Sequence, residues 1–206
     1  PDTTINDVLN YEINEESLEA IFEFIDLNLH GSKLDGIIGG PPCQAYSMIG
    51  RANNKHRKAT DSRIYLYEYY LDFLKRYNPK FFIFENVKGL LSFKDKDNNL
   101  LFPTILKAFD RVGYSITDKI INSEDYGVSQ KRERLFIVGI RNDISIDKDF
   151  FEILESFKEK APVLSELFED LPEMQAGMSL SEYKKNTLNH SVIKVYRNSE
   201  TDILTQ

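Results

Sequence analysis

Residues 81–86 read Phe-Phe-Ile-Phe-Glu-Asn, and this stretch decides the fold class. Its first four residues are all apolar, as in a parallel strand at the centre of a sheet that is covered on both faces. Asn78 and Pro79 interrupt the chain just before it. A second apolar run, Leu34 to Ile38, is closed by Gly-Gly-Pro-Pro at 39–42, which predicts a neighbouring strand that stops abruptly.

The chain around these two strands alternates between helix and strand patterns. Apolar residues recur at helical spacing after Asn14, after Ser62 and after Pro103, which predicts three helices. The stretches 114–121 and 135–140 predict two further strands. This alternation predicts an α/β fold with a mostly parallel sheet and helices on both faces.

Composition indicates an ordinary globular protein. The 206 residues are 41% apolar and 29% charged, and no apolar run approaches the roughly 20 residues of a membrane span. The lone cysteine, Cys43, excludes an internal disulfide, and no Cys and His cluster offers a zinc site. We therefore expect a cytoplasmic protein with no metal and no membrane association.

The net charge of −7 conceals a basic centre. Residues 41–146 carry 18 basic and 12 acidic side chains, a net charge of +6. The densest part, Arg51 to Arg63, shows no apolar periodicity and directly follows the only cysteine. A solvated surface loop is one interpretation, but this position favours a loop that contacts phosphates.

Three sets of polar side chains that could take part in catalysis lie where predicted strands begin or end. Two prolines precede Cys43, which predicts that its thiol is held at a strand tip. The alternative is that Cys43 is a small buried apolar residue, as a lone cysteine more often is. Glu85 follows a fully apolar strand, where a carboxylate is costly unless it is paired; capping of the next turn is the alternative. Gln130, Arg132 and Arg134 open another strand and are predicted to share one face, an arrangement suited to clamping a carboxylate or another anion rather than only facing water.

Three motifs together carry a family resemblance. They are Gly-Pro-Pro-Cys-Gln at 40–44, Phe-Glu-Asn-Val-Lys-Gly-Leu at 84–90 and Gln-x-Arg-x-Arg-Leu-Phe-x-Val-Gly at 130–139. In this order and at these separations, the chain from Asp7 to Arg141 resembles the DNA cytosine-5 methyltransferase family. The resemblance implies a Rossmann-like class I fold that uses S-adenosylmethionine, and double-stranded DNA as the substrate.

The resemblance also implies roles for individual residues. Cys43 would attack C6 of a cytosine flipped out of the duplex, Glu85 would hold or protonate N3, and Arg132 would steady the base and the carboxylate. The remaining matches are the pocket residues Asn86, Val87, Gln130 and Arg134, the cofactor residues Asp7, Pro42 and Leu66, and the DNA contacts Gln44, Ser47 and Arg57.

Some parts of the family pattern have no match. No two glycines stand in a GxG arrangement, so the Gly-rich first βαβ unit that cradles the cofactor is missing, as is a target-recognition domain. We therefore expect 1–146 to be a partial methyltransferase domain and 147–206 to be a segment leading toward the missing domain. The fragment alone is expected to be inactive. The whole enzyme is expected to be monomeric and prokaryotic in type, with a cognate restriction endonuclease as a further candidate partner.

Three alternatives remain open from the sequence. The same cysteine and glutamate occur in a tRNA-methylating branch that resembles this family, so RNA could replace DNA. A thiol hydrolase would pair Cys43 with His30, His56 or His190, none of which is at a predicted strand end. A non-catalytic nucleic-acid-binding remnant would have no reason to retain the cysteine, the glutamate and the arginine together.

Overall fold

The computed structural model describes residues 9–44, 46 and 62–168. The chain divides into two compact units, each made of two segments. The first comprises Pro1–Ile121 with Glu133–Phe151, and the second comprises Asn122–Arg132 with Glu152–Gln206. The boundary at 146 that the sequence suggests stays a prediction. Within the described ranges, no helix is long and apolar enough to cross a membrane.

Helices and strands alternate largely where the sequence predicts them. The first helix ends through His30 and Gly31, both in the left-handed region with φ of 46° and 78°. The elements are α1 (Leu18–Leu29), β1 (Gly36–Gly39), α2 (Tyr67–Tyr77), β2 (Phe81–Asn86), α3 (Leu101–Arg111), β3 (Tyr114–Asn122), β4 (Glu133–Arg141), α4 (Phe150–Glu155) and α5 (Leu164–Leu167).

The strands form one sheet in the order β1-β2-β4-β3. β1 and β2 are parallel, with Gly39 opposite Phe84. β2 and β4 are antiparallel, with Asn86 opposite Leu135. The α/β class is as expected, but the described sheet is mixed, and the expected parallel arrangement holds for β1 and β2. Residues 123–132 join β3 to β4 without a crossover helix of the kind that a parallel connection requires.

An aromatic core covers one face of β2. Phe82 and Phe84 are fully buried, and the ring centroids of Phe84 and Tyr70 are 5.2 Å apart. Phe109 packs 4.6 Å from Phe82, so α2 and α3 both lie on this face. On the opposite face Ile38 is 73% exposed, so within residues 9–44, 46 and 62–168 the helix cover described here is that of the aromatic side.

Candidate active site

Cys43 lies four residues beyond the end of β1 and is half-buried. Its carbonyl oxygen accepts a hydrogen bond of 3.0 Å from the backbone N–H of Tyr46. Tyr46 is itself buried, and its hydroxyl donates to the carbonyl of Ile64 over 2.5 Å. Its ring packs edge-on against Phe93 with centroids 5.2 Å apart. The turn that carries the thiol is therefore attached to the core through Tyr46.

Glu85 is the fifth residue of β2 and lies on the face opposite Phe84, because strand side chains alternate. Its Oε1 atom is 2.9 Å from Nε of Arg134, and the two side chains are only 34% and 23% exposed. The carboxylate at the end of an apolar strand is therefore paired, which removes the main cost of placing it there. The sequence predicted that a carboxylate at this position needs a partner, and Arg134 is a partner of Glu85 in the structure.

Asn86 connects the end of β2 to the loop that carries the cysteine. It is 1% exposed, and its Nδ2 atom donates to the carbonyl of Pro41 over 3.4 Å. Its Oδ1 atom accepts a 2.8 Å bond from the N–H of Val87, which packs on the core. Both hydrogen-bonding ends of this buried amide are used, so it links two loops that lie far apart in the sequence.

The arginine row differs from the prediction. β4 begins at Glu133, so Gln130 and Arg132 precede the strand and the three side chains do not alternate along one strand face. Arg132 and Gln130 belong to the second unit, where the N–H of Arg132 donates to Oδ1 of Asn122 over 3.1 Å. Arg134 belongs to the first unit with Glu85, and its Nε atom pairs with the carboxylate.

The other predicted site residues are distributed as follows. Gln44 is exposed, and its side-chain oxygen accepts a hydrogen bond from Arg63. Pro42 is exposed beside Cys43, and Leu66 is half-buried immediately before α2. Asp7, Ser47 and Arg57 lie outside the described residues, as do His56 and His190. Where the chain is described, no group of three or more His, Cys, Asp or Glu residues could hold a metal ion.

A tyrosine that the sequence did not single out ties together the two strands that lead to the site. The hydroxyl of Tyr70 lies 3.1 Å from the carbonyl oxygen of Ile37 on β1 and 3.0 Å from that of Ile83 on β2. Burial raises the pKa of Tyr70 well above its usual range, so the hydroxyl keeps the proton that it donates. Tyr70 lies three residues after Tyr67 and four before Leu74, a helical spacing that could have placed it in the core.

A family model described as C-5 cytosine-specific DNA methylase matches residues 3–205. The chain belongs to this family. The Type II methyltransferase M.DdeI of Desulfomicrobium norvegicum is 36% identical over 177 residues, covering 81% of this chain and 41% of that protein. M.FnuDI of Fusobacterium nucleatum, also a Type II methyltransferase, is 45% identical over 128 residues, covering 62% of this chain and 35% of that protein. The chain thus spans about two fifths of the length of these relatives.

A solved structure is similar over most of this family member's length. It is a DNA modification methyltransferase encoded within a prophage of E. coli, with a TM-score of 0.54 and 24% sequence identity. The likeness covers 79% of this chain and 40% of that one. At this identity the likeness shows the fold alone, and together with the family match it supports the Rossmann-like fold that the resemblance implies.

Proposed function

We propose that the complete gene product methylates C5 of cytosine in double-stranded DNA. The observation that carries the proposal is the Glu85–Arg134 pair on β2 and β4, next to the loop that presents Cys43. Ligands of open α/β sheets bind at the carboxyl ends of the parallel strands, which is where Cys43 and Glu85 lie. Membership of the C-5 cytosine-specific DNA methylase family supports the same reaction.

The proposed mechanism begins with a cytosine flipped out of the duplex, because its ring cannot be attacked within the stack. The Cys43 thiolate forms a bond to C6 while Glu85 binds or protonates N3, which makes C5 nucleophilic. After C5 has taken a methyl group, loss of the C5 proton restores the ring double bond and expels the thiolate. Glu85 must keep its position throughout, and Arg134 is suited to hold it.

The fold family implies S-adenosylmethionine, which when bound would supply the methyl group. Pro42 and Leu66 would offer apolar surface to this cofactor, and Asp7 remains an assignment from the resemblance. Two apolar side chains fit the edge of such a pocket but cannot enclose a cofactor. We therefore propose that these 206 residues alone neither bind it tightly nor methylate DNA; calorimetry showing micromolar binding to the isolated chain would overturn this.

Further roles follow from the resemblance and the relatives. Arg132 is proposed to steady the flipped base and the carboxylate, and Gln130 to act on the DNA side. Gln44 is a proposed DNA contact, and Ser47 and Arg57 are proposed to contact phosphates. Residues 147–206 would lead toward a target-recognition domain. M.DdeI and M.FnuDI are Type II methyltransferases, which supports a cognate restriction endonuclease as a partner. The enzyme itself is proposed to be monomeric and cytoplasmic.

A thiol hydrolase is poorly supported by the described histidine. His30 follows α1, before β1 begins, whereas Cys43 follows the other end of that strand. Four strand residues alone separate the two ends by about 13 Å, well beyond hydrogen-bond reach. RNA methylation would use the same cysteine and glutamate, so it is tested together with DNA methylation.

The deciding experiment offers labelled S-adenosylmethionine to the complete gene product with either duplex DNA or tRNA. We expect label at C5 of cytosine in DNA, and none with the Cys43→Ser variant. DNA carrying 5-fluorocytosine should trap the wild type covalently, because its C5 has no proton to lose. Label in tRNA alone would change the substrate, and no label or adduct in either would favour a nucleic-acid-binding remnant.

A further inference from the structure

We propose that Gly40 is a positioning residue for Glu85: its lack of a side chain provides the space that one carboxylate oxygen needs while the other binds Arg134. The inference rests on the proposed function, because it assigns Gly40 to the same site. It acts only through Glu85 and makes no contact with a substrate. Its basis is the sheet register together with the space around each glycine.

The register places Gly40 beside Glu85. Gly39 lies opposite Phe84 in the parallel pairing of β1 with β2, so the next residues along are Gly40 and Glu85. Alternation then puts both on the face opposite Phe84. A Cβ atom built on Gly40 would lie 2.8 Å from Oε2 of Glu85, 3.7 Å from its Cβ atom and 3.5 Å from its carbonyl oxygen.

The carboxylate is thus enclosed from two sides. Oε1 is 2.9 Å from Nε of Arg134, and Oε2 faces the bare backbone of Gly40. A contact of 2.8 Å between Cβ and oxygen is too short to persist, so a methyl group at position 40 must move Oε2. Because both oxygens belong to one rigid carboxylate, moving Oε2 also moves Oε1 and disturbs the ion pair with Arg134.

Space, and not backbone conformation, is what requires glycine here. The described glycines with positive φ are Gly31, Gly113 and Gly127, so the backbone of Gly40 is open to an ordinary L-residue. The atom that must move is the free end of a flexible, half-buried side chain. Gly40→Ala should therefore leave the fold intact and misplace the catalytic carboxylate.

The preceding residue is a matched control with the opposite expected behaviour. A Cβ atom on Gly39 would lie 2.9 Å from Cε2 of Tyr70, on the aromatic face and away from Glu85. That ring is buried, and its hydroxyl lies within hydrogen-bond distance of both β1 and β2, so it cannot move cheaply. Gly39→Ala should therefore lower thermal stability while each folded molecule keeps its activity.

The test uses the complete gene product as wild type, Gly40→Ala, Gly39→Ala, Arg134→Ala and the Gly40→Ala/Arg134→Ala double variant. We measure the melting temperature, and kcat and KM for DNA per folded molecule. Gly40→Ala should lower kcat by about 10- to 100-fold with KM and melting temperature nearly unchanged, as for a misplaced catalytic group. The double variant should be no slower than the slower single variant, because both changes act through Glu85.

A crystal structure of Gly40→Ala gives a readout that needs no activity, and it should show the Glu85–Arg134 pair broken. The inference is overturned if that pair stays at 2.9 Å, if Gly40→Ala retains kcat within about two-fold of an active wild type, or if its loss multiplies with that of Arg134→Ala. If Gly40→Ala displaces the carboxylate but the wild type modifies no nucleic acid, the proposed function is refuted. The positioning of Glu85 by Gly40 is then still supported.

Discussion

Glu85 and Arg134 show how a single ion pair changes the interpretation of a motif. Three candidate side chains, Gln130, Arg132 and Arg134, stand at alternate positions in the sequence, and the resemblance favoured Arg132 as the partner of the carboxylate. The strand starts at Glu133, so strand geometry applies only to Arg134. The 2.9 Å contact is partly shielded from water, where a charge-assisted hydrogen bond is stronger than one on the surface.

Replacing Arg134 tests this assignment. Arg134→Ala should lower kcat for methylation by about ten-fold or more, because Glu85, which we propose to bind or protonate N3, loses the group that orients it. Lys88→Ala is the control, since the neighbouring Lys88–Glu133 pair, at 3.2 Å, is more exposed and should contribute little. Steady-state kinetics on the complete gene product decide the matter; an Arg134→Ala enzyme with wild-type kcat would contradict the assignment.

Tyr46 makes a second residue-scale prediction. Tyr46→Phe keeps the ring on Phe93 but leaves the carbonyl of Ile64 without the buried hydroxyl that donates to it. The free energy of unfolding should fall by about 1 kcal/mol, the typical contribution of such a bond. The measurement is the urea midpoint at unchanged slope, with the exposed Tyr65→Phe as the control. Equal midpoints for the two variants would show that the hydroxyl adds nothing.

At the scale of elements, α2 does more than cover the sheet. Its Tyr70 hydroxyl lies between a carbonyl of β1 and one of β2, and a single proton can serve only one of them at a time. The helix therefore holds together the two strands whose ends carry the cysteine loop and Glu85. The helical spacing of Tyr70 from Tyr67 and Leu74 is a signal for a core position, but it cannot show which backbone groups the hydroxyl meets.

Removing this hydroxyl should loosen the parallel pair. Tyr70→Phe should lower the free energy of unfolding by about 1 to 2 kcal/mol, because two partly buried carbonyls lose a shared donor. Hydrogen exchange should become faster at the amides of β1 and β2. Tyr69→Phe, half-buried on the same helix, is the control. Unchanged exchange in β1 with a lowered global stability would indicate simple core packing instead.

At the scale of the whole molecule, buried tyrosines link stability to pH. Tyr114 is fully buried, its hydroxyl donates to the carbonyl of Pro79 over 2.9 Å, and burial raises its pKa to about 12. An unfolded tyrosine has a pKa of about 10, so the folded state holds its proton more tightly. The stabilisation is complete below about pH 10 and is lost as the pH rises toward 12.

The alkaline loss of stability should depend on Tyr114. The urea midpoint of the wild type should decrease between about pH 10 and 12, because the unfolded tyrosine is ionised in this interval while the buried one still holds its proton. Tyr114→Phe should decrease less over the same interval, although it starts from a lower midpoint because the bond to Pro79 is gone. The exposed Tyr11→Phe should follow the wild type. Parallel curves for Tyr114→Phe and wild type would refute the linkage.

By itself the sequence determined the α/β class, the apolar strand that leads to Glu85 and the loop that carries Cys43. These features are encoded by contiguous residues, as apolar runs, prolines and motifs. The tertiary structure decided which arginine reaches Glu85, that β4 runs antiparallel to β2, and that Gly40 lies beside the carboxylate. The reason is physical: neighbours across a sheet depend on strand order and register, and these follow from packing among residues far apart in the chain.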